Sequence, residues 1–157
     1  MDGEDQWVIG EVSENRKEYL NLLLLADEQE DMIDRYLDRG WMYVMKDRSG
    51  NGPAAAVCVV TDEGKGVLEI KNLAVRRELQ GRGLGRRMVE FAADRFRGRF
   101  QILQVGTGDS PLTLPFYKAC GFAPSHVVKN FFTNHYDHPI WEGGVLLRDM
   151  VYLRREL

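Results

Sequence analysis

The chain has 157 residues and a formal net charge of −3, with 44% of its residues hydrophobic and 29% charged. This length and balance predict one globular domain, 1–157, and argue against a disordered chain. The acidic net charge disfavours a nucleic-acid partner, and the lack of an apolar run long enough to cross a bilayer disfavours a membrane protein.

The first residues and the cysteines bear on the cellular compartment. Residues 1–6 are acidic and polar, without the basic and apolar regions of a secretory signal. Cys58 and Cys120 lie far apart, in apolar surroundings and outside any metal-binding spacing. We therefore expect two buried thiols in a reducing compartment, which predicts a cytoplasmic protein.

The first part of the chain predicts one strand followed by two helices. A strand is expected over 6–12. Asn15 followed by Glu18 has the spacing of a capping box and predicts the start of a helix with an apolar stripe. A second such signal begins at Asp27. Gly40 suits the position just after the end of the second helix.

The middle of the chain predicts three strands separated by turns. The first two are expected over 41–45 and 54–60, joined by a turn at 49–52 that is rich in glycine. The second is apolar on both faces, which is typical of a central strand. A further turn at 62–66 leads into a strand over 67–75 that contains polar residues.

The last part predicts helices and strands in alternation, closed by a hairpin. The expected elements are a helix to about Arg97, a strand over 100–105, a short helix over 112–120, and a pair of strands over 127–132 and 150–154. The segment Thr133–Asp149 receives no prediction. Strands that alternate with helices and end in a hairpin indicate a mixed α/β sheet.

Three glycines alternate at positions 81, 83 and 85, where the long helix begins. Alternating glycines let the backbone approach a ligand closely, and the first amides of a helix form an anion site with the helix dipole. Arg82, Arg86 and Arg87 add local positive charge. We expect a phosphorylated ligand, most naturally a pyrophosphate; the alternative is a glycine-rich helix start without a ligand. The spacing disfavours a flavin or nicotinamide fold, and the Gly-Lys-Ser/Thr of a P-loop is absent from the sequence.

Two segments resemble the GNAT superfamily of acetyltransferases. Asn-Leu-Ala-Val at 72–75, followed by Gln80-x-x-Gly83-x-Gly85, resembles its acetyl-CoA signature, Q/R-x-x-G-x-G/A. Phe-Tyr-Lys-Ala-Cys-Gly-Phe at 116–122 is similar to its F-Y-x-x-x-G-F segment. The chain also resembles small bacterial GNAT proteins of unassigned substrate, and the resemblance implies the GNAT acyl-CoA N-acyltransferase fold. That fold is a mixed, mostly antiparallel sheet of about seven strands flanked by helices.

The resemblance implies an N-acetyltransferase that uses acetyl-CoA as acyl donor. The acceptor would be a primary amine of a small molecule or a peptide, attacking the thioester directly. The donor-binding residues that the resemblance implies are Leu73, Ala74 and Val75 for the pantetheine arm, and Gln80, Gly81, Arg82, Gly83, Leu84, Gly85 and Arg86 for the pyrophosphate. Asp109 stands where the superfamily often has an asparagine that touches the pantetheine, and a carboxylate cannot donate that hydrogen bond.

Acyl transfer to an amine needs a group that takes the amine proton and one that protonates the departing thiolate. The resemblance implies Glu69 as the general base and Tyr117 as the general acid. Each has a structural alternative. Glu69 could pair with Lys71 on the same strand face, and Tyr117 could pack in the core beside Phe116 and Phe122.

Other polar groups carry weaker signals. His135 and His138 are interpreted as loop residues rather than metal ligands, so no metal is predicted. The acidic run over 27–34 is interpreted as a solvated helix face, with attraction of a cationic amine as the alternative. The alternative to an enzyme is a non-catalytic acyl-CoA-binding module. An exposed C-terminal strand could also pair with its copy in a homodimer.

Overall fold

The computed structural model describes residues 6–157, so the acidic stretch that precedes Gln6 lies outside the described residues. The strands are β1 (Trp7–Val12), β2 (Trp41–Asp47), β3 (Ala56–Asp62), β4 (Val67–Val75), β5 (Ile102–Gly108), β6 (Ala123–Val128), β7 (Trp141–Glu142), β8 (Val145–Leu146) and β9 (Met150–Glu156). The helices are α1 (Leu20–Ala26), α2 (Glu30–Asp34), α3 (Leu84–Phe96), α4 (Leu114–Ala119) and α5 (Phe131–His135), with short 3-10 turns at Arg16–Tyr19 and Arg77–Leu79.

Seven strands form one sheet in the order β1-β2-β3-β4-β5-β9-β6, and β7 pairs with β8 in a separate hairpin. The pairs β1-β2, β2-β3, β5-β9 and β6-β9 are antiparallel. This confirms the predicted fold class. The chain divides into two compact units, one formed by the described residues up to Thr61 with Ile70–Arg95, the other by Asp62–Glu69 with Phe96–Leu157.

In the first unit, the alternation of side chains along β2 and β3 decides which helices they contact. Met42 pairs with Val59, and both side chains point to the same face of the sheet. On that face they pack against buried residues of α1, α2 and the segment after α2, namely Leu23, Ile33, Tyr36 and Leu37. Tyr43 points the other way and meets Phe91 of α3 edge to face, with 5.0 Å between ring centroids. Helices therefore cover both faces of this part of the sheet.

In the second unit, the C-terminal strand β9 lies between β5 and β6 and is paired on both sides. The expectation of an exposed C-terminal strand is therefore wrong, and a homodimer through that strand loses its basis. The strand at the edge of this unit is β6, whose register shifts between Pro124 and His126. Proline, which lacks an N–H to donate, is tolerated at such an edge.

The predicted strand over 127–132 is displaced in the structure. The strand β6 ends at Val128, and Asn130 adopts a left-handed backbone with φ 57° before the helix α5. Phe132, on that helix, packs with Ile140 and Leu147 in a small buried cluster. The segment without a prediction thus holds most of α5 and the hairpin β7-β8. Its apolar residues build this cluster rather than extend the sheet.

Two predicted local signals have other roles. Asn15 has a left-handed backbone with φ 54°, and among the described residues its side chain makes no capping hydrogen bond. Gly40 was expected to end a helix, but α2 ends at Asp34. A Cβ at Gly40 would lie 2.0 Å from the carbonyl oxygen of Val60, so glycine is required there by close approach of the backbone.

Within residues 6–157, no helix is long and apolar enough to span a membrane.

Replacing Gly40 by alanine should destabilise the fold. Because the added methyl group would collide with the Val60 carbonyl oxygen, 2.0 Å from the Cβ, the backbone must move. We expect the free energy of unfolding to fall by about 2–4 kcal/mol in urea titrations. Gly10→Ala is the matched control, because a Cβ at Gly10 would meet no described atom within 4 Å. Equal midpoints for the two variants would contradict this account of Gly40.

Candidate functional site

The turn before α3 has the backbone that its glycines predict. Gly81 and Gly83 have φ of 79° and 82°, a left-handed conformation that side chains disfavour. A Cβ built on either would meet no described atom within 4 Å, so the glycines are required by backbone conformation and leave the turn open to a ligand. Leu84 is buried and begins the 13 residues of α3.

The first turn of α3 follows this opening directly in the chain. The first hydrogen bond of the helix runs from the Arg87 amide to the Gly83 carbonyl, at 3.0 Å. The amides of Leu84, Gly85 and Arg86 precede it, in the turn where amides lack an intrahelical partner. With the dipole of a helix of this length, they favour an anion.

Basic side chains line a cavity beside the turn. It measures about 650 Å³ and lies within the first unit. The described residues that line it are Gln6, Trp7, Arg82, Gly83, Leu84, Arg86, Arg87 and Glu90. Arg87 donates a hydrogen bond to the carbonyl oxygen of Trp7 at 3.2 Å, so β1 helps to hold this wall. Three arginines against one glutamate make the cavity locally positive in a chain of net charge −3.

The end of β4 is joined to the turn by a side chain. The Gln80 amide group donates to the carbonyl oxygen of Val75 at 2.9 Å. Ala74 is buried in the core of the first unit, while Leu73 and Val75 are half-buried. Gln80 therefore holds the turn against the strand end. Its side chain, predicted to bind pyrophosphate, makes this hydrogen bond to Val75 in the structure.

Glu69 is a carboxylate buried in the second unit, with 5% of its surface exposed. It accepts a hydrogen bond from the Gln104 amide at 2.5 Å. A buried carboxylate is costly unless it is hydrogen-bonded, and Gln104 supplies one such bond. The strand β4 thus places a buried, hydrogen-bonded carboxyl group at position 69.

Tyr117 lies on α4, buried to 7% exposure in the same unit. Its ring meets those of Phe116 and Phe122 edge to face, with centroids 5.0 and 5.6 Å apart. The aromatic packing expected as its structural alternative is therefore present. Such packing holds the ring in place, which is compatible with a hydroxyl that acts on a ligand.

Tyr152 lies close to the candidate base. Burial, and then the negative charges of Glu69 and Glu63, raise the pKa of the Tyr152 hydroxyl to about 12. Its ring stacks on His126, with centroids 4.6 Å apart and planes 6° from parallel. The ring fits over Gly106, where a Cβ would lie 2.8 Å from it. Glycine at position 106 therefore leaves room for the Tyr152 ring.

The remaining predicted residues are exposed. Asp109 follows the end of β5 and is exposed beside the buried Ser110. His135 contacts the ring of Phe131, and His138 hydrogen-bonds Asp137 at 2.6 Å. None of these contacts assigns a ligand to Asp109 or to the histidines.

Two residues near these groups, Gln104 and Trp7, were not predicted from the sequence. Gln104 can be recognised in the sequence as a polar residue between the apolar residues Leu103 and Val105. Its bond to Glu69 cannot. Trp7 carries no local signal, because it reaches the arginine cavity only through tertiary contact between β1 and α3.

Comparison with known proteins gives one consistent family. The model of the acetyltransferase (GNAT) family matches residues 10–122. An uncharacterized N-acetyltransferase of Bacillus subtilis is 36% identical over 146 residues, which cover 92% of this chain and 92% of the relative.

Two solved structures share both sequence and fold with this chain. A GNAT family acetyltransferase of Elizabethkingia anophelis with acetyl-CoA bound has a TM-score of 0.89 and 32% identity, covering 98% of this chain and 99% of its own. An IAA acetyltransferase of Bacillus cereus has a TM-score of 0.86 and 36% identity, covering 96% and 99%.

The environment of Tyr152 predicts a pH dependence of stability. Above the ordinary tyrosine pKa of 10.0, the unfolded chain releases this proton before the folded chain does. The contribution of the protonated Tyr152 hydroxyl to the free energy of unfolding is therefore complete below pH 10.0. It is lost as the pH rises through about 12. Tyr152→Phe should lose less stability across this window in urea unfolding. Burial raises the pKa of Cys58 in the same direction, so the comparison between variant and parent isolates Tyr152. Identical slopes would contradict the prediction.

Proposed function

The chain belongs to the acetyltransferase (GNAT) family, and from that premise we propose that it transfers the acetyl group of acetyl-CoA to a primary amine of a small molecule or a peptide. The observation that carries the proposal is the glycine turn at the start of α3, open to a ligand and flanked by arginines. This turn has the chemistry that a pyrophosphate requires. The acetyl-CoA in the structure of the Elizabethkingia relative supports the same donor.

For the donor, we propose that the pyrophosphate is bound by Gly81 to Arg86 and the pantetheine arm by the strand end. The amides of the first turn of α3 would donate to the phosphate oxygens, and Arg82 and Arg86 would balance their charge. Gln80, hydrogen-bonded to Val75, would hold the turn in place beside the end of the strand. Backbone groups of Leu73, Ala74 and Val75 would take the arm. We also propose that Asp109 lies beside the pantetheine arm, to which its carboxylate cannot donate a hydrogen bond.

For the chemistry, we propose direct attack of the amine on the thioester carbonyl. The Glu69 carboxylate takes a proton from the amine, directly or through a water, as the C–N bond forms. Backbone amides at the end of β4 stabilise the oxyanion. The C–S bond then breaks, and the Tyr117 hydroxyl gives a proton to the departing thiolate. The buried position of both groups supports these roles, since each is held by the contacts described above.

We further propose a single functional domain in the cytoplasm. The family match runs from residue 10 to residue 122 and so takes in parts of both compact units. Cys58 and Cys120 are buried free thiols, as expected in a reducing compartment.

Gly83→Asp should remove donor binding. The substitution adds a side chain at φ 82° and a negative charge at the proposed phosphate site. We expect acetyl-CoA affinity measured by calorimetry to fall by at least about 100-fold. Gly50→Asp is the matched control, because Gly50 also has a left-handed φ, 80°, but lies in the turn between β2 and β3. Unaltered affinity in a folded Gly83→Asp protein, or equal loss in both variants, would refute the assignment.

Glu69→Gln and Tyr117→Phe should slow transfer without weakening donor binding. Each keeps the shape of the side chain and removes the proton-transfer group. In single-turnover measurements, we expect the rate constant for acetyl transfer to fall by about 100-fold for Glu69→Gln and by about tenfold for Tyr117→Phe. Glu156→Gln, exposed on β9, and Tyr19→Phe are the matched controls. A variant whose rate equals that of its control would show that its residue is structural.

A further inference from the structure

Gln104 makes the contact on which this inference depends. It lies in the middle of β5, with 6% of its surface exposed, and its amide nitrogen donates to Oε1 of Glu69 at 2.5 Å. An amide side chain can present either its NH2 group or its carbonyl oxygen to a neighbour. Only the NH2 group can bond an ionised carboxylate, so the orientation of Gln104 matters.

Arg154 decides that orientation. Its Nε donates to the Gln104 carbonyl oxygen at 2.8 Å. A guanidinium has donors and no acceptor, so the Gln104 carbonyl must face Arg154 and the NH2 group must face Glu69. The hydrogen bonds therefore run in one direction, from Arg154 through Gln104 to Glu69.

The pairing of β5 with β9 makes this arrangement rigid. Gln104 and Arg154 are direct partners in the antiparallel register, and such partners have side chains on the same face. Since β9 is also paired with β6, Arg154 stands on a strand held from both sides. Arg154 is itself exposed, so the chain of bonds leads from a buried carboxylate to the surface.

We propose that Gln104 is a positioning residue that sets the orientation of the Glu69 carboxylate, and that Arg154 acts through Gln104 by fixing its amide. The inference rests on the proposed function, in which Glu69 is the general base. Proton transfer depends on the angle and distance of the base, so a carboxylate that rotates would slow the reaction with the donor still bound. The competing explanation is that Gln104 only satisfies a buried charge and so contributes to stability alone.

The first test is Gln104→Met, which keeps the volume of the side chain and removes its hydrogen bonds. We expect kcat for acetyl transfer to fall by about tenfold, with the KM for acetyl-CoA unchanged. Gln101→Met is the matched control, at an exposed glutamine just before β5. A loss of thermal stability with unchanged kcat would overturn the positioning role.

The second test uses Arg154, whose exposure makes substitution compatible with folding even where Gln104→Met is not. Arg154→Met removes the donor that holds the Gln104 carbonyl oxygen, so the amide and the carboxylate bonded to it can rotate together, and we expect kcat to fall. Arg154→Lys, which still offers only donors, should retain more activity. Equal activity of the two variants would overturn the role of Arg154.

Double variants separate a relay from independent effects. If Arg154 acts only through Gln104, the Gln104→Met and Arg154→Met pair should be no slower than Gln104→Met alone. In a Glu69→Gln background, Gln104→Met should change the residual rate no further. Additive losses in either pair would overturn the proposal.

The outcomes distinguish this inference from the proposed function. If Glu69→Gln keeps full kcat, Glu69 is not the base, and both the base assignment and the positioning role are overturned. If Glu69→Gln loses turnover while Gln104→Met and Arg154→Met keep it, the positioning role alone is overturned and the base assignment stands.

Discussion

One uninterrupted strand, β4, carries both the candidate base and the backbone that leads into the anion-binding turn. Glu69 lies near its start and Leu73 to Val75 form its end. Glu69 is buried, as are Leu68 and Ile70 on either side of it, and the strand end is joined to the turn by Gln80. A break or slip in β4 would change the path of the chain between Glu69, the proposed proton acceptor, and the glycine turn. Both the proposed base and the proposed donor site therefore depend on this strand.

The two ends of that strand need opposite electrostatics. The glycine turn needs positive charge for a phosphate, and three arginines supply it on a chain of net charge −3. The proposed base, Glu69, is a carboxylate that is removed from water, and burial of this kind requires hydrogen bonds. Gln104 provides such a bond through a neutral amide, which on our proposal orients the carboxylate.

The sequence predicted what is encoded locally. The left-handed turn at Gly81 and Gly83, the bounds of β4 and the helix after it follow from glycine, period and apolar pattern, and the structure has them. Residues distant in the chain were out of reach. The bond from Arg154 to Gln104 depends on the register of two strands whose residues lie 50 positions apart. Gly40 is similar, because its need for glycine comes from the carbonyl of Val60 on a neighbouring strand and not from its own backbone angle. The predicted strand over 127–132 extends past the observed end of β6 for the same reason. Phe132 packs in a cluster with Ile140 and Leu147, a contact that the local pattern does not reveal.

Whether this chain transfers acetyl groups to an amine is decided by measuring the release of free thiol in the presence of an amine. The intact protein would be incubated with acetyl-CoA and a panel of aliphatic and aromatic amines, amino acids and peptides, while the CoA thiol is followed. For an acetyltransferase, we expect thiol release that requires both protein and amine, saturates with each substrate and yields one acetylated amine per thiol. Tight binding of acetyl-CoA with no amine-dependent release across the panel would contradict it and would favour a module that binds acyl-CoA without catalysis.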